Sequence, residues 1–171
     1  MQRIRELIAD VPDFPKPGII FKDITPILLD PQAAVEVTKA LVTVARSRRA
    51  TKIAGIESRG FIFGAPLAQQ LGVGFVPLRK PGKLPRRSRR ATFAKEYGED
   101  AIEMHDDACS RGDRVLIVDD LLATGGTAEA AGKLVRSTGA EVVGFLFVVE
   151  LAFLDGRKKL TGAPVDALVV Y

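Results

Sequence analysis

The stretch Val115-Leu116-Ile117-Val118-Asp119-Asp120-Leu121-Leu122-Ala123-Thr124-Gly125-Gly126-Thr127 decides the fold. Its uninterrupted apolar run at 115–118 predicts a strand buried on both faces, as in parallel sheets covered by helices. Two acids follow, and then a turn of small residues opens a helix predicted over 127–138. Gly125 and Gly126 permit backbone conformations closed to other residues. Thr124 and Thr127 supply hydroxyls, and the start of the helix supplies unpaired N–H groups. Together they make an anion cradle suited to a phosphomonoester. The paired carboxylates of Asp119 and Asp120 would repel a bare phosphate, so they are expected to accept hydrogen bonds from sugar hydroxyls or from water on a cation. An ordinary strand-turn-helix connection would explain the glycines but not the whole string.

Working outward, the same alternation repeats. Ile4, Leu7, Ile8 and Val11 suggest a short first helix ended by the proline-rich segment 12–18, and an extended segment runs through Ile19, Ile20 and Phe21. Asp30-Pro31 starts a long helix reaching Arg48 and Arg49. A buried strand is predicted at 53–56, a helix from Gly60 to Leu71 stopped by Gly72, and strands at 74–79 and 142–149. Between 81 and 107 the pattern weakens into a loop and hairpin outside the core. The resulting expectation is an α/β fold, a mainly parallel twisted sheet flanked by helices, with a small flexible lid hairpin at about 81–107. In such sheets ligands bind beyond the carboxyl ends of the strands, near the switch in strand order.

The chain of 171 residues fits about one domain at ~150 residues each. With 47% hydrophobic residues, 27% charged residues and a mean hydropathy of +0.13, it can bury a core and does not read as disordered. The longest apolar run, 142–149, falls far short of the ~20 residues that cross a bilayer. Charged residues at Arg3, Arg5, Glu6 and Asp10 break any signal-peptide segment, so a cytoplasmic location is expected. Cys109 and His105 are single residues of their kinds and offer neither a disulfide nor a zinc cluster. The net charge of +4 favours anionic partners. Eight cations, Arg79, Lys80, Lys83, Arg86, Arg87, Arg89, Arg90 and Lys95, lie within 79–95 with no acid among them, which would suit a phosphate-rich ligand or a nucleic acid. A solvated basic loop would account for that run as well.

The cradle string resembles the phosphoribosyl-pyrophosphate motif of type I phosphoribosyltransferases. Four further segments, in order, narrow the resemblance to the adenine phosphoribosyltransferase family: Pro17-Gly18-Ile19-Ile20-Phe21-Lys22-Asp23-Ile24-Thr25-Pro26, Gly55-Ile56-Glu57-Ser58-Arg59-Gly60-Phe61, Arg79-Lys80-Pro81-Gly82-Lys83-Leu84-Pro85 and Glu96-Tyr97-Gly98. The resemblance implies transfer of ribose 5-phosphate from phosphoribosyl pyrophosphate to N9 of adenine, giving AMP and pyrophosphate with Mg2+ held by the substrate and water and no direct protein ligand. It also implies a homodimer. On it, Ala123, Thr124, Gly125, Gly126 and Thr127 hold the 5-phosphate, while Asp119 and Asp120 face the ribose. Glu57, Ser58 and Arg59 form the pyrophosphate loop, with a cis peptide expected between Glu57 and Ser58, and Lys80 and Lys83 reach pyrophosphate at or near a dimer interface. Phe21 stacks on the purine while Ile20 and Lys22 offer backbone groups to its edge. Glu96 accepts a proton from the purine or stabilises it, and Tyr97 helps close the site. The segment 86–95 departs from the pattern in its basicity, and Lys95 stands where an aliphatic residue is usual.

Two rival readings share the phosphate motif. One is a regulator that binds phosphoribosyl pyrophosphate or a nucleotide and uses its basic loop on nucleic acid, although no helix-turn-helix extension is present and binding to nucleic acid is not expected. The other is a sibling transferase acting on another purine, which would differ in the base pocket.

Overall fold

A computed structural model of the chain describes residues 1–94 and 98–171. In chain order its elements are α1 (Gln2–Leu7), β1 (Ala9–Pro12), β2 (Ile20–Asp23), α2 (Thr25–Leu29), α3 (Pro31–Ser47), β3 (Lys52–Ile56), α4 (Arg59–Leu71), β4 (Gly74–Leu78), β5 (Ser88–Ala94), β6 (Glu99–His105), β7 (Arg114–Leu122), α5 (Gly126–Arg136), β8 (Glu141–Glu150) and β9 (Val165–Val170). Short 3-10 turns at Ala152–Leu154 and Gly156–Lys159 link β8 to β9. Asp30 caps α3 through its carboxylate, which accepts from the Gln32 and Ala33 N–H groups at 2.9 and 3.0 Å. Gly72, at φ 68°, ends α4 in the left-handed region.

Five strands form a parallel sheet in the order β4-β3-β7-β8-β9. The chain steps outward from β3 to β4, then returns to the other side of β3 to lay down β7, β8 and β9. Strand order therefore reverses between β3 and β7, and a crevice opens at their carboxyl ends. Along β7 the side chains alternate between two cores. Leu116 and Val118 pack with α3 and α4 residues such as Leu41 and Leu67, while Val115 and Ile117 pack with α5 residues such as Leu134 and Val135. Burial on both faces is why the strand sequence is apolar without interruption.

Two expectations need correction. The first helix stops at Leu7, and Val11 belongs to β1, paired with Phe21 of β2 in an antiparallel ribbon; the downstream pairing outweighs the helical spacing. The hairpin is present as β5 and β6, but one face of β6 is core: Ile102 and Met104 are 3% and 0% exposed and pack in the cluster that holds Leu134 and Val135 of α5. The basic run is solvent-exposed at Arg86 and Arg87, and three of its cations meet acids just outside it in sequence: Arg86 pairs with Asp107, and Arg87 and Arg89 pair with Asp106. Helix α2 is too short to show a period. Strand β9 sits at the sheet edge, and its second residue, Asp166, interrupts the apolar pattern and pairs with Arg48 at 2.6 Å.

If the hairpin is part of the core, Met104→Ala leaves a cavity and costs about 2–5 kcal/mol of unfolding free energy by denaturant titration. The exposed Phe153, truncated to Ala, should stay within about 0.5 kcal/mol of the parent. Equal, small effects at both positions would place the hairpin outside the core.

Candidate active site

Two helices point their N-termini into the crevice between β3 and β7, and neither has a side-chain cap. Helix α4 starts after Ser58 and α5 after Gly125. Without a side-chain cap, the N–H groups that open these helices can meet an external acceptor, unlike those of α3, although the Phe61 N–H of α4 already donates to the Ser58 carbonyl at 3.2 Å. Gly60 lets α4 start hard against β7, because a Cβ there would lie 2.7 Å from the Val118 carbonyl oxygen. The peptide between Glu57 and Ser58 is cis.

The crevice holds two adjoining cavities. One, of about 100 Å³, is lined by Asp119, Leu121, Ala123, Thr124, Gly125, Gly126, Thr127 and Phe147 among others. With a water molecule's share of liquid volume at ~30 Å³, it suits one phosphate-sized group. Gly125 supports its tight turn at φ 79°. The other, of about 240 Å³, is lined by Glu57, Ser58, Arg59, Lys80, Asp119 and Asp120. Asp119 borders both.

Asp119 and Asp120 differ in their surroundings. Asp120 is buried, and its carboxylate accepts from Nε of Arg59. Burial opposes the Arg59 charge, but the hydrogen bond to Asp120 and the charges of Asp120, Asp119 and Asp23 prevail and raise its pKa. Asp23 in turn is held below its ordinary value by the Thr25 N–H and hydroxyl at 2.9 and 2.7 Å, with Arg59 adding to the effect. Asp119 is pushed well above the usual carboxylate range by burial and by the neighbouring Asp120 charge.

Phe21 is half-buried and stands outside both cores. Phe14 meets it edge-on with ring centroids 5.2 Å apart, and the Arg59 guanidinium lies 5.7 Å from its centroid. Ile20 beside it is 57% exposed. The Lys22 side chain is tied to Asp10 at 2.5 Å and lies 4.1 Å from the Tyr171 ring, leaving its backbone as the part that can meet a ligand.

Glu57 anchors the neighbouring turn. Its carboxylate accepts from the Lys80 N–H at 2.8 Å and from Arg79 Nε at 3.3 Å, while Arg79 also donates to the Lys83 carbonyl at 3.0 Å. Burial alone would raise the Glu57 carboxyl, but those donors outweigh it and hold it low. The structure therefore brings Ile20, Phe21, Lys22, Glu57, Ser58, Arg59, Lys80, Lys83, Asp119, Asp120 and 123–127 to one end of the sheet. Glu96 and Tyr97 lie outside the described residues. Sequence reasoning missed Phe14 and the Glu57-anchoring role of Arg79. The aromatic-proline step at 14–15, which is cis, was the available signal for the first; for Arg79 there was none beyond its charge.

The phosphoribosyl transferase domain model matches residues 25–167. An adenine phosphoribosyltransferase of Anaeromyxobacter dehalogenans is 56% identical over 171 residues, covering 100% of this chain and 99% of its own. The crystal structure of adenine phosphoribosyltransferase from Thermoanaerobacter pseudethanolicus superposes with a TM-score of 0.97 at 52% identity, covering 99% of both chains. The Saccharomyces cerevisiae adenine phosphoribosyltransferase, complexed with an imino-altritol bisphosphate and adenine, gives 0.93 at 44% identity over 98% of this chain and 97% of that one.

A raised carboxyl pKa in the folded state means that Asp119 favours folding at low pH, and this contribution is lost as pH rises through its folded pKa. Asp119→Asn keeps the acceptor for the Asp120 N–H, which Asp119 holds at 2.9 Å, and removes the charge. The ligand-free variant should melt at a higher temperature than the parent at pH 8, with the gap closing toward pH 4. A constant or reversed gap would contradict the assignment.

Proposed function

The chain belongs to the phosphoribosyl transferase family, among its adenine phosphoribosyltransferases, and from that membership we propose how its crevice performs the reaction. The enzyme is a purine-salvage transferase that converts adenine and phosphoribosyl pyrophosphate to AMP and pyrophosphate. One observation carries the assignment of roles. A single crevice at the reversal of strand order joins an aromatic face at Phe21, a fixed guanidinium at Arg59 and a small cradle at the start of α5.

In this reading the 5-phosphate sits in the cradle of Ala123, Thr124, Gly125, Gly126 and Thr127. The ribose hydroxyls donate to Asp119 and Asp120. Pyrophosphate leaves toward the open N–H groups at the start of α4, with Arg59 and the turn bearing Lys80 and Lys83 around it. As the bond to pyrophosphate lengthens, positive charge grows on the ribose and negative charge on the leaving group. The acids and the guanidinium are already aimed at these two developing charges, so little reorganisation is needed. Adenine stacks on Phe21 with its edge toward the backbone of Ile20 and Lys22.

Mg2+ fits this donor set as an ion carried by the substrate. Among the described residues no group of three or more His, Cys, Asp or Glu side chains could hold a metal. Asp120 is engaged by Arg59, while Asp119 borders both cavities and can accept from water on a substrate-borne ion. When bound, the ion would neutralise charge on the pyrophosphate. The segment 81–107 is assigned as the lid, and Glu96 and Tyr97, by resemblance, as its residues that act on the purine. The buried residues of β6 confine any closure to the outer part of the hairpin. Closure would keep water from the activated ribose. A homodimer working in the cytoplasm completes the reading; among the described residues no helix is long and apolar enough to cross a membrane.

The direct test is Mg2+-dependent formation of AMP from adenine and phosphoribosyl pyrophosphate. Hypoxanthine and guanine should be poor substrates, and equal rates on a 6-oxopurine would overturn the assignment of the base. The two ends of the site separate by mutation. Phe21→Ala should weaken adenine and AMP binding by about 1–3 kcal/mol in calorimetry while sparing phosphoribosyl pyrophosphate. Thr124→Val should weaken the sugar phosphate and spare adenine. Equal loss of both ligands in Phe21→Ala, or its unfolding, would make Phe21 a structural residue.

A further inference from the structure

The cradle has a back wall made of backbone. A Cβ added to Gly156 would lie 2.0 Å from the Ala123 carbonyl oxygen and 3.0 Å from the Gly125 nitrogen. One added to Gly125 would lie 2.4 Å from the Gly156 carbonyl oxygen. The two segments therefore touch with no side chain between them, at the residues that form the cradle floor. Asp155 enters this turn at φ 56°, in the left-handed region, between the two 3-10 turns.

One side chain fixes the turn. Arg157 Nε donates to Glu150 Oε1 at 2.9 Å, its Nη2 donates to Glu150 Oε2, and its Nη1 donates to the Val165 carbonyl. Glu150 is the last residue of β8 and only 4% exposed, and Val165 is the first of β9. A planar guanidinium donating to the ends of two neighbouring strands holds its own backbone, and hence Gly156, in one place. A buried carboxylate is costly unless paired, and Glu150 lines neither cavity of the crevice.

We propose that Arg157, through Glu150, is a positioning residue that seats Gly156 against the backbone of residues 123–125 and so aims the cradle at the 5-phosphate. This rests on the reading of the cradle given above. It predicts that a residue outside the crevice controls affinity for the sugar phosphate and not for the base, because Phe21 and Arg59 belong to other elements.

The probe is ribose 5-phosphate, titrated calorimetrically into the full-length enzyme, together with the KM of each substrate. Arg157→Met should weaken ribose 5-phosphate by about tenfold, a loss of about 1.4 kcal/mol. The KM for phosphoribosyl pyrophosphate should rise in step, with kcat and the KM for adenine little changed. Arg157→Lys should recover part of the loss. Because Arg157→Met strands a buried charge, the double variant Glu150→Gln with Arg157→Met serves where the single one fails to fold, and the same selective loss is expected. A folded single or double variant with parental ribose 5-phosphate affinity overturns the proposal, as does an equal loss toward both substrates. Thr124→Val isolates the underlying reading. If it leaves ribose 5-phosphate binding unmoved, the cradle assignment itself fails. If it weakens binding while the Arg157 variants do not, only the buttress fails.

Discussion

A carboxylate removed from water has to find a cation, and Asp120, 3% exposed at the end of the central strand, finds Arg59. That pairing crosses the place where strand order reverses. It joins β7 to the first residue of α4 and brings a guanidinium within 5.7 Å of the Phe21 ring centroid. The aromatic face, the open N–H groups of α4 and the acids of β7 are thereby held in one arrangement before any ligand arrives. Removing Arg59 would leave the buried Asp120 carboxylate uncompensated.

Two helices share one arrangement at this crevice. Asp30 satisfies the first N–H groups of α3, whereas α4 and α5 begin without a side-chain cap beside a cavity. An anionic substrate with a phosphate at one end and a diphosphate at the other meets two helix starts set across a sheet switch. The acids lie between, where the neutral hydroxyls of a sugar would sit. Burial and the neighbouring Asp120 charge both disfavour an ionised Asp119, so this placement is expected to work against the stability of the ligand-free protein at neutral pH, as functional sites commonly do.

Much of this was legible in the sequence because the information is local. The run 115–127 specifies a buried strand, an acid pair and a glycine turn within thirteen residues, and each is found at its expected position. The long helix after Asp30 and the stop at Gly72 were similarly readable, since caps and left-handed glycines act over a few residues. What stayed hidden was set by partners distant in the chain. Val11 became a strand through Phe21, Met104 became core through α5, and the basic run met its acids only when the hairpin closed. The buttress at Gly156 was invisible for the same reason, as its partner Ala123 lies on another loop. Glu96 and Tyr97, assigned by resemblance alone, keep that status.

The central claim is that one crevice reads a nucleotide from end to end, phosphate at the start of α5 and base at Phe21. A crystal structure of the enzyme with AMP tests it most directly. The account predicts phosphate oxygens at about 3 Å from the N–H groups of the 124–127 turn, ribose hydroxyls donating to the acids at 119 and 120, and the purine stacked on Phe21. A phosphate seated instead in the cavity beside Arg59, or a purine bound away from Phe21, would contradict it.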